Sequence, residues 1–190
     1  AVLLLPAAPQ VADAKDYIIR YSDIGGNKGP RAAALNVWAK EIEEQSKGQM
    51  KIKFFWGQSL IKAKATLKGV SSGLAEMGTI IPAYTPADTP VGNYGNIPFN
   101  EADPWIGMRA HHAVRINGKH LQAEDKRNGI KMLFTNVTGP VQLLCGKEKI
   151  DTLEKIKGKK IRAIGGYIEL FKSMGAVPVK IGFGELYSAL

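Results

Sequence analysis

The spacing of hydrophobic positions along the chain changes repeatedly, and each change predicts a switch between strand and helix. Residues 50–56 alternate apolar and polar side chains, which is the period of a β-strand. Before them, residues 30–47 place apolar side chains three and four positions apart, which is the period of an amphipathic helix. Pro30 suits the first turn of this helix, and Gly48 suits its end.

The same alternation continues to the end of the chain and predicts an α/β fold with mostly parallel sheets. Further strands are predicted at 17–23, 75–81, 130–136, 159–164 and 177–181. Further helices are predicted at about 59–72, from the Asp103 cap onward, at 167–174 and from Glu185. The helix after Asp103 has an apolar stripe that consists of Trp105, Met108, His112 and Ile116.

A long proline-rich loop separates the second predicted helix region from the third. Residues 82–99 read PAYTPADTPVGNYGNIPF, and their four prolines oppose regular structure. Loops of this length in a compact domain are usually functional, and Tyr84 within it is a candidate ligand contact.

The segment NVTGP, residues 136–140, is interpreted as a crossing between domains because a new α/β unit starts after it. An ordinary surface turn explains the segment equally well. On the crossing interpretation, residues 15–138 form the first α/β domain and residues 139–190 form the first part of a second domain.

Arg162 is the main candidate for chemistry. It lies in a predicted buried strand, just before Gly165 and Gly166, and a guanidinium is costly to bury without an anionic partner. Ligands of open α/β sheets bind at the carboxyl ends of the strands, where the next helix also offers free N–H groups. This position predicts a carboxylate ligand, and the alternative is an ion pair with an acidic residue outside this sequence.

Composition narrows the class of protein. The 190 residues are 45% hydrophobic and 23% charged, as in soluble globular proteins, and the net charge is +9. The lysines are spread along the chain without an arginine-rich block, which favours a solvated shell over a nucleic-acid partner. Cys145 is the only cysteine, so no intrachain disulfide is possible, and its apolar context predicts a buried, inert thiol.

The N-terminal stretch AVLLLPAAPQVADA, residues 1–14, is typical of the remnant of a secretory signal peptide. An apolar run too short to span a bilayer leads into an A-x-A pattern at Ala12–Ala14. This pattern predicts a mature protein that begins near Lys15 and works outside the cytoplasm. The alternative is a buried N-terminal strand.

Metal, cofactor and catalytic motifs give no positive signal. The three histidines and Cys145 lack the spacing of a zinc motif, and adjacent His111 and His112 point to different sides of a helix. His112 is expected beside the core and His111 toward water. The glycine-rich stretches lack the spacing of phosphate loops, and no serine-nucleophile motif occurs. We therefore expect no metal, no cofactor and no enzymatic activity.

The stretch from Asp151 to Leu190 resembles the solute-binding proteins of TRAP transporters, the DctP family. That family shows a D-L-x-G-x-K-x-R strand, then a short helix, then G-A-x-P-x-x-x-x-x-x-E-x-Y-x-A-L. The matching residues are Gly158, Lys160, Arg162, Gly175, Ala176, Pro178, Glu185, Tyr187, Ala189 and Leu190. Upstream, VWAKEIEEQSKGQMKIKFFWGQSL and LKGVSSGLAEMG are also similar to the family, in the same order.

The resemblance implies a periplasmic-binding-protein-like fold of two α/β domains joined by a hinge, with the second domain incomplete in this chain. It implies that Arg162 pairs with the substrate carboxylate, that Phe183 lines the same cleft, and that a membrane permease receives the ligand.

Many members carry a second arginine where this chain has Val141, followed by Gln142, and the resemblance makes Gln142 a candidate ligand contact. Two further departures are the apolar stretch TIIP at residues 79–82, where the family commonly has an acidic or polar ligand residue, and Gly165–Gly166, which replaces a frequent polar residue. Together the three departures disfavour a sialic-acid-like or short dicarboxylate ligand and favour a monocarboxylate with an apolar or aromatic body.

Other readings remain open on sequence grounds. An ABC-type periplasmic receptor has the same general architecture. A secreted α/β enzyme that acts on an anionic substrate, or a basic nucleic-acid binder, belongs to a different class of protein.

Overall fold

The computed structural model describes residues 16–99, 103–146 and 148–189. The predicted signal-peptide remnant at residues 1–14 therefore lies outside the described residues.

A three-stranded parallel sheet forms the N-terminal part of the fold. Its strands are β1 (Tyr17–Ser22), β2 (Met50–Phe55) and β3 (Met77–Gly78), in the order β2-β1-β3. Both pairs are parallel, with Tyr17 opposite Met50 and Tyr21 opposite Met77. The predicted parallel arrangement is confirmed, and it places the carboxyl ends of all three strands at one edge.

Helix α1 (Pro30–Gln45) connects β1 and β2, close to the predicted bounds. Pro30 starts the helix, and the chain leaves it through left-handed residues at Lys47 and Gly48. The second helix is shorter than predicted. A single 3₁₀ turn at Ala63–Ala65 precedes α2 (Thr66–Ser71), because the Gln58 side chain accepts the Ala63 N–H and fixes the start of the turn there.

Alternating side chains of β2 join an aromatic cluster on one face of this sheet. The rings of Phe54 and Trp56 stack with centroids 4.6 Å apart, and Tyr21 of β1 lies 5.2 Å from Phe54. Trp38 of α1 meets Tyr21 edge-on at 6.5 Å. The period-two pattern of residues 50–56 therefore marks a β-strand with its apolar side chains on one face, as predicted.

Helices α3 (Pro104–Asn117) and α4 (Lys119–Arg127) follow the proline loop. The predicted Asp103 cap is confirmed, since its carboxylate accepts the N–H groups of Trp105 and Ile106. The predicted inward stripe of α3 is wrong: Trp105 is 61% exposed, and the described part of α3 buries no residue. The ion pair of Arg115 with Asp125 on α4 holds α3 in place instead.

A second, two-stranded parallel sheet forms the C-terminal part. It pairs β4 (Lys160–Arg162) with β5 (Val177–Val179). Helices α5 (Leu153–Ile156), α6 (Tyr167–Ser173) and α7 (Leu186–Ala189) surround it, with a 3₁₀ turn at Phe183–Glu185. Its small core consists of Ile156, Ile161 and Ala176, against which Ile150, Phe171 and Met174 pack.

Two predictions for residues 130–146 are wrong. The predicted strand at 130–136 is absent, because no strand in the described part of the chain pairs with this segment and its N–H and C=O groups form no ladder. Apolar side chains of the segment reach solvent, and Leu144 is 81% exposed. Cys145 is exposed rather than buried, since no described element packs over this segment.

A buried ion pair secures the carboxyl edge of the first sheet, and the sequence pattern did not single it out. Asp23 follows β1 and its side chain is 0% exposed. The Arg31 guanidinium donates to both of its oxygens, at 2.7 and 2.5 Å, and the Thr79 hydroxyl donates at 2.8 Å. Burial alone would raise the pKa of Asp23, but the hydrogen bonds from Arg31, Thr79 and the Gly25 N–H hold that pKa below its usual value.

We expect Asp23→Asn to lower the free energy of unfolding by about 3 kcal/mol at neutral pH, because Arg31 keeps its charge but loses its partner. The native pKa of Asp23 is lowered, so its carboxylate stabilises the fold above its unfolded pKa and loses this effect as the pH falls. The difference in the free energy of unfolding between wild type and Asp23→Asn should therefore become smaller below about pH 4.

Urea unfolding at several pH values measures this difference. Glu41→Gln is the control, because Glu41 is exposed and forms no ion pair with the described residues. A difference in the free energy of unfolding that stays constant down to pH 2 would contradict a stabilising role for the ionised Asp23 carboxylate.

Candidate functional site

A cavity of about 510 Å³ lies between the proline loop (residues 82–99) and the C-terminal sheet. Its size falls in the range of small-molecule sites. Most of its wall comes from the proline loop and from the turns that follow β4 and β5. The lining residues are Lys64, Ala83, Tyr84, Pro86, Pro90, Asn93, Asn96, Ile97, Ile164, Gly165, Gly166, Ile168, Lys180 and Ile181.

Arg162 lies at the carboxyl end of β4, beside this cavity. Its side chain connects two parts of the cavity wall through hydrogen bonds. Its Nε donates to the carbonyl oxygen of Ile181 at 3.0 Å, and its Nη2 donates to the Tyr84 hydroxyl at 3.0 Å. Nη1 has no hydrogen-bond partner among residues 16–99, 103–146 and 148–189, and no carboxylate of those residues pairs with the guanidinium. Two neutral oxygens orient the half-buried guanidinium, and its positive charge has no anionic partner among the described residues.

The proline loop is held in place by its own polar groups. The Asn93 side chain donates to the carbonyl oxygens of Pro82 and Thr89, at 3.1 and 2.9 Å. The buried Glu124 carboxylate of α4 accepts the N–H groups of Val91 and Gly92, at 2.7 and 2.8 Å. The cavity wall is therefore fixed by tertiary hydrogen bonds although it lacks long regular elements.

Gly165 and Gly166 allow the turn after β4 to lie directly against the proline loop. Gly165 has a φ of 56°, which favours glycine. A Cβ atom on Gly166 would lie 2.8 Å from Cδ of Pro98 and 3.0 Å from the carbonyl oxygen of Asn96. These glycines therefore allow the turn after β4 to pack against the proline loop, in addition to lining the cavity.

The structure brings four of the six predicted site residues together. Tyr84, Gly165 and Gly166 line the cavity, and Arg162 reaches it through Tyr84 and Ile181. Phe183 is 51% exposed and Gln142 is exposed, and neither lines the cavity. Their predicted contact with the ligand stays a prediction.

Several lining residues carried no signal in the sequence. Asn93 and Asn96 lie in the loop that was expected to be functional, but nothing in the pattern distinguished them from their neighbours. Lys64 and Lys180 were counted only as part of the basic surface. Glu124 carried no signal either, and only its contacts with the loop reveal its role.

The histidines form no metal site in the part of the chain that the structure describes, where no group of three or more potential ligands lies together. The expectation that His111 faces water is wrong. Its ring stacks on Tyr94 with centroids 4.9 Å apart, and burial together with nearby Arg115 and His112 lowers its pKa. No helix within the described ranges has the length and apolar character needed to cross a membrane.

The chain belongs to the bacterial extracellular solute-binding proteins, family 7, named DctP, whose sequence profile matches residues 21–190. It is 29% identical over 154 residues to the 2,3-diketo-L-gulonate-binding periplasmic protein YiaO of Escherichia coli K12, a match that covers 78% of this chain and 45% of that protein. The family and the fold are those of solute-binding receptors.

Solved structures show the same fold. A TRAP periplasmic solute-binding protein from Desulfovibrio salexigens is 25% identical with a TM-score of 0.69, and the match covers 92% of this chain and 53% of that one. A marine metagenome TRAP protein specific for aromatic acid ligands is 16% identical with a TM-score of 0.78, over 92% and 54% of the two chains. The chain spans about half the length of the relatives it matches.

We expect Gly166→Ala to separate the turn after β4 from the proline loop, because the new methyl group would meet backbone and a proline ring. The free energy of unfolding should fall by about 1–3 kcal/mol, as in other overpacked sites. Chemical denaturation measures the change.

Gly26→Ala is the matched control, since a Cβ atom at Gly26 meets nothing within 4 Å. Equal stability of the two variants would show that the contact with Pro98 is loose.

Proposed function

We propose that this protein is an extracytoplasmic solute receptor that binds an organic acid and delivers it to a TRAP-type membrane permease. The observation that carries the proposal is the guanidinium of Arg162, which lies oriented beside a cavity and has no carboxylate partner among the described residues. Membership of the solute-binding family supports this function.

The geometry suits one carboxylate at the wall of the cavity. Nη1 of Arg162 is available as a donor. The Tyr84 hydroxyl accepts from Nη2, so its own proton is available for a second hydrogen bond to the ligand. A ligand carboxylate could then accept from Arg162 with one oxygen and from the Tyr84 hydroxyl with the other. Such hydrogen bonds to a charged group are stronger than those between neutral groups.

The rest of the wall suits an apolar ligand body with a few polar groups. Ala83, Ile97, Ile164 and Ile168 supply hydrocarbon surface. Asn96 supplies a side-chain oxygen that can accept from a ligand hydroxyl. Relatives named for a sugar acid, for C4-dicarboxylates and for aromatic acids support an organic acid as the ligand class.

Membership of the solute-binding family favours a receptor over an enzyme. The described lining of the cavity contains no histidine, cysteine, aspartate or glutamate, but it contains Tyr84, Lys64 and Lys180, whose side-chain types also serve acid–base or nucleophilic catalysis. The family, and not the composition of the wall, therefore carries the choice of a receptor.

A bound carboxylate is expected to favour closure of the cleft, because it would contact side chains from two parts of the cavity wall. The Arg162–Tyr84 hydrogen bond joins β4 to the proline loop, and a carboxylate that meets both side chains would strengthen the same junction. Ligand binding would thereby favour the closed arrangement, which is the form a permease has to distinguish from the empty receptor.

We expect Arg162→Ala to weaken the binding of the preferred organic acid by at least about thirtyfold, since loss of one partner of a buried charge pair costs about 2–5 kcal/mol. Arg162→Lys should also bind poorly, because an ammonium group lacks the planar fork. A thermal-shift screen of organic acids on the natural protein, as its gene encodes it, identifies the ligand, and calorimetry measures its Kd.

Arg109→Ala is the matched control, since Arg109 is exposed and does not line this cavity. Binding by Arg162→Ala within a few-fold of wild type would refute the proposal.

We expect Tyr84→Phe to weaken binding about tenfold, because the variant loses the hydroxyl that orients Nη2 and the proton offered to the ligand. The aromatic ring remains, so thermal stability without ligand should change little. Calorimetry and a melting curve separate the two effects. A large loss of stability with unchanged affinity would show that the Tyr84 hydroxyl acts only in folding.

A further inference from the structure

The ring of His111 packs helix α3 against the proline loop. It stacks on Tyr94 of the loop, with ring centroids 4.9 Å apart and an interplanar angle of 14°. The Tyr94 hydroxyl also donates to the His111 carbonyl oxygen at 3.3 Å. Nδ1 of His111 is buried and has no hydrogen-bond partner among the described residues. The imidazole therefore contributes to this junction as a flat, uncharged surface.

The loop residues beside this stack belong to the cavity wall. Tyr94 lies in a 3₁₀ turn of the proline loop, between Asn93 and Asn96, which both line the cavity. Space around the ring is limited, since a Cβ atom on Gly95 would lie 3.0 Å from Nε2 of His111. A displacement of the ring therefore displaces the turn that carries the two asparagines.

A proton on His111 would add a positive charge beside groups that already oppose it. Arg115 lies one helical turn further along α3, and its side chain is only 10% exposed. His112 is the neighbouring residue on the same helix, and its charge also opposes protonation of His111. From the proline loop the ring faces Tyr94, whose pKa is raised by burial, so Tyr94 stays neutral at the same pH values.

The carboxylates of α4 do not offset a charge on His111, because other groups already occupy them. Asp125 forms an ion pair with Arg115, and Glu124 accepts two N–H groups of the proline loop. Burial and the neighbouring positive groups therefore lower the pKa of His111. The neutral imidazole is the form that fits this junction, and protonation at acidic pH opposes the stack.

We propose that His111 is a positioning residue for the ligand cavity, which holds the proline loop in place only while its imidazole is neutral, so that acidic pH opens the loop and weakens ligand binding. The effect on binding rests on the proposed function of the cavity, and the opening of the loop does not. Because the pKa of His111 is lowered in the folded protein, its stabilising effect is complete above the unfolded pKa of about 6.5 and is lost as the pH falls toward the folded pKa.

Hydrogen exchange of backbone amides tests the opening of the loop on the natural protein, as its gene encodes it and without ligand. The amides of Val91 and Gly92 report on the loop, and the amides of β1 report on the first sheet. Each rate is divided into the intrinsic rate at the same pH to give a protection factor. His111→Phe keeps a flat ring and His111→Gln removes it, and neither new side chain takes up a proton.

We expect the protection of the two loop amides in wild type to fall about tenfold from about pH 7.5 to about pH 5.5, because an unpacked histidine gains a proton over this range. Both His111 variants should show constant protection, at a lower level in His111→Gln. His112→Gln and His120→Gln are the matched controls and should keep the pH dependence of wild type. Gly95→Ala should lower protection of the loop at every pH, since it crowds the ring without changing a charge.

Calorimetry tests the effect on the cavity with galactonate, with benzoate and with the acid that binds best in the thermal-shift screen. Carboxyl groups titrate near about pH 4, so these ligands stay ionised over the range used. The Kd of wild type should rise by about two- to tenfold from about pH 7.5 to about pH 5.5. The Kd of His111→Phe should stay constant over the same range.

The outcomes separate this inference from the proposed function. Loop amides that are as well protected as those of β1 at about pH 5.5, or a pH dependence that survives in both His111 variants, would overturn the positioning role of His111. A wild-type Kd that stays constant while the loop opens would overturn the effect on binding. Failure of every acid in the screen to bind counts against the proposed function, whereas the exchange of the loop amides still decides the role of His111.

Discussion

The constraint on which the candidate site depends is an oriented guanidinium, that of Arg162, which has no counter-ion in the part of the chain that the structure describes. Elsewhere the chain gives its partly buried cations a carboxylate, as for Arg31 with Asp23 and Arg115 with Asp125. Arg162 instead donates to the Ile181 carbonyl and the Tyr84 hydroxyl. These neutral acceptors fix the direction of the guanidinium without neutralising it, and under the proposed function its charge is left for the carboxylate of a ligand.

The cavity is precise because its wall is tied down by buried polar groups rather than by long helices or strands. Glu124 accepts two N–H groups of the proline loop, and Gly166 lets the turn after β4 approach the same loop closely. The loop contributes lining residues without regular structure, and tertiary hydrogen bonds give it the rigidity that a sheet would otherwise supply. The site therefore depends on contacts between segments far apart in sequence.

Local patterns predicted the elements whose formation is decided locally. The alternation of residues 50–56, the Pro30 start of α1 and the Asp103 cap all have short-range causes, and all are present. The same patterns failed where an element needs a distant partner. The strand predicted at 130–136 has no neighbour in the described part of the chain to complete its ladder. The stripe of α3 is not fully buried by any described element, since Met108 and His112 are half-buried and Trp105 is exposed.

The sequence by itself predicted the α/β class and the membership of the solute-binding family. It also made Arg162 the main candidate for ligand binding, because a charged residue between a strand and a glycine turn is a conflict visible in the residue order. Only the tertiary structure decided which groups meet that arginine. Tyr84 lies 78 positions from Arg162 in the sequence. Contacts over such separations are set by the packing of the two sheets and the proline loop, and no local pattern of hydrophobic and polar residues encodes them.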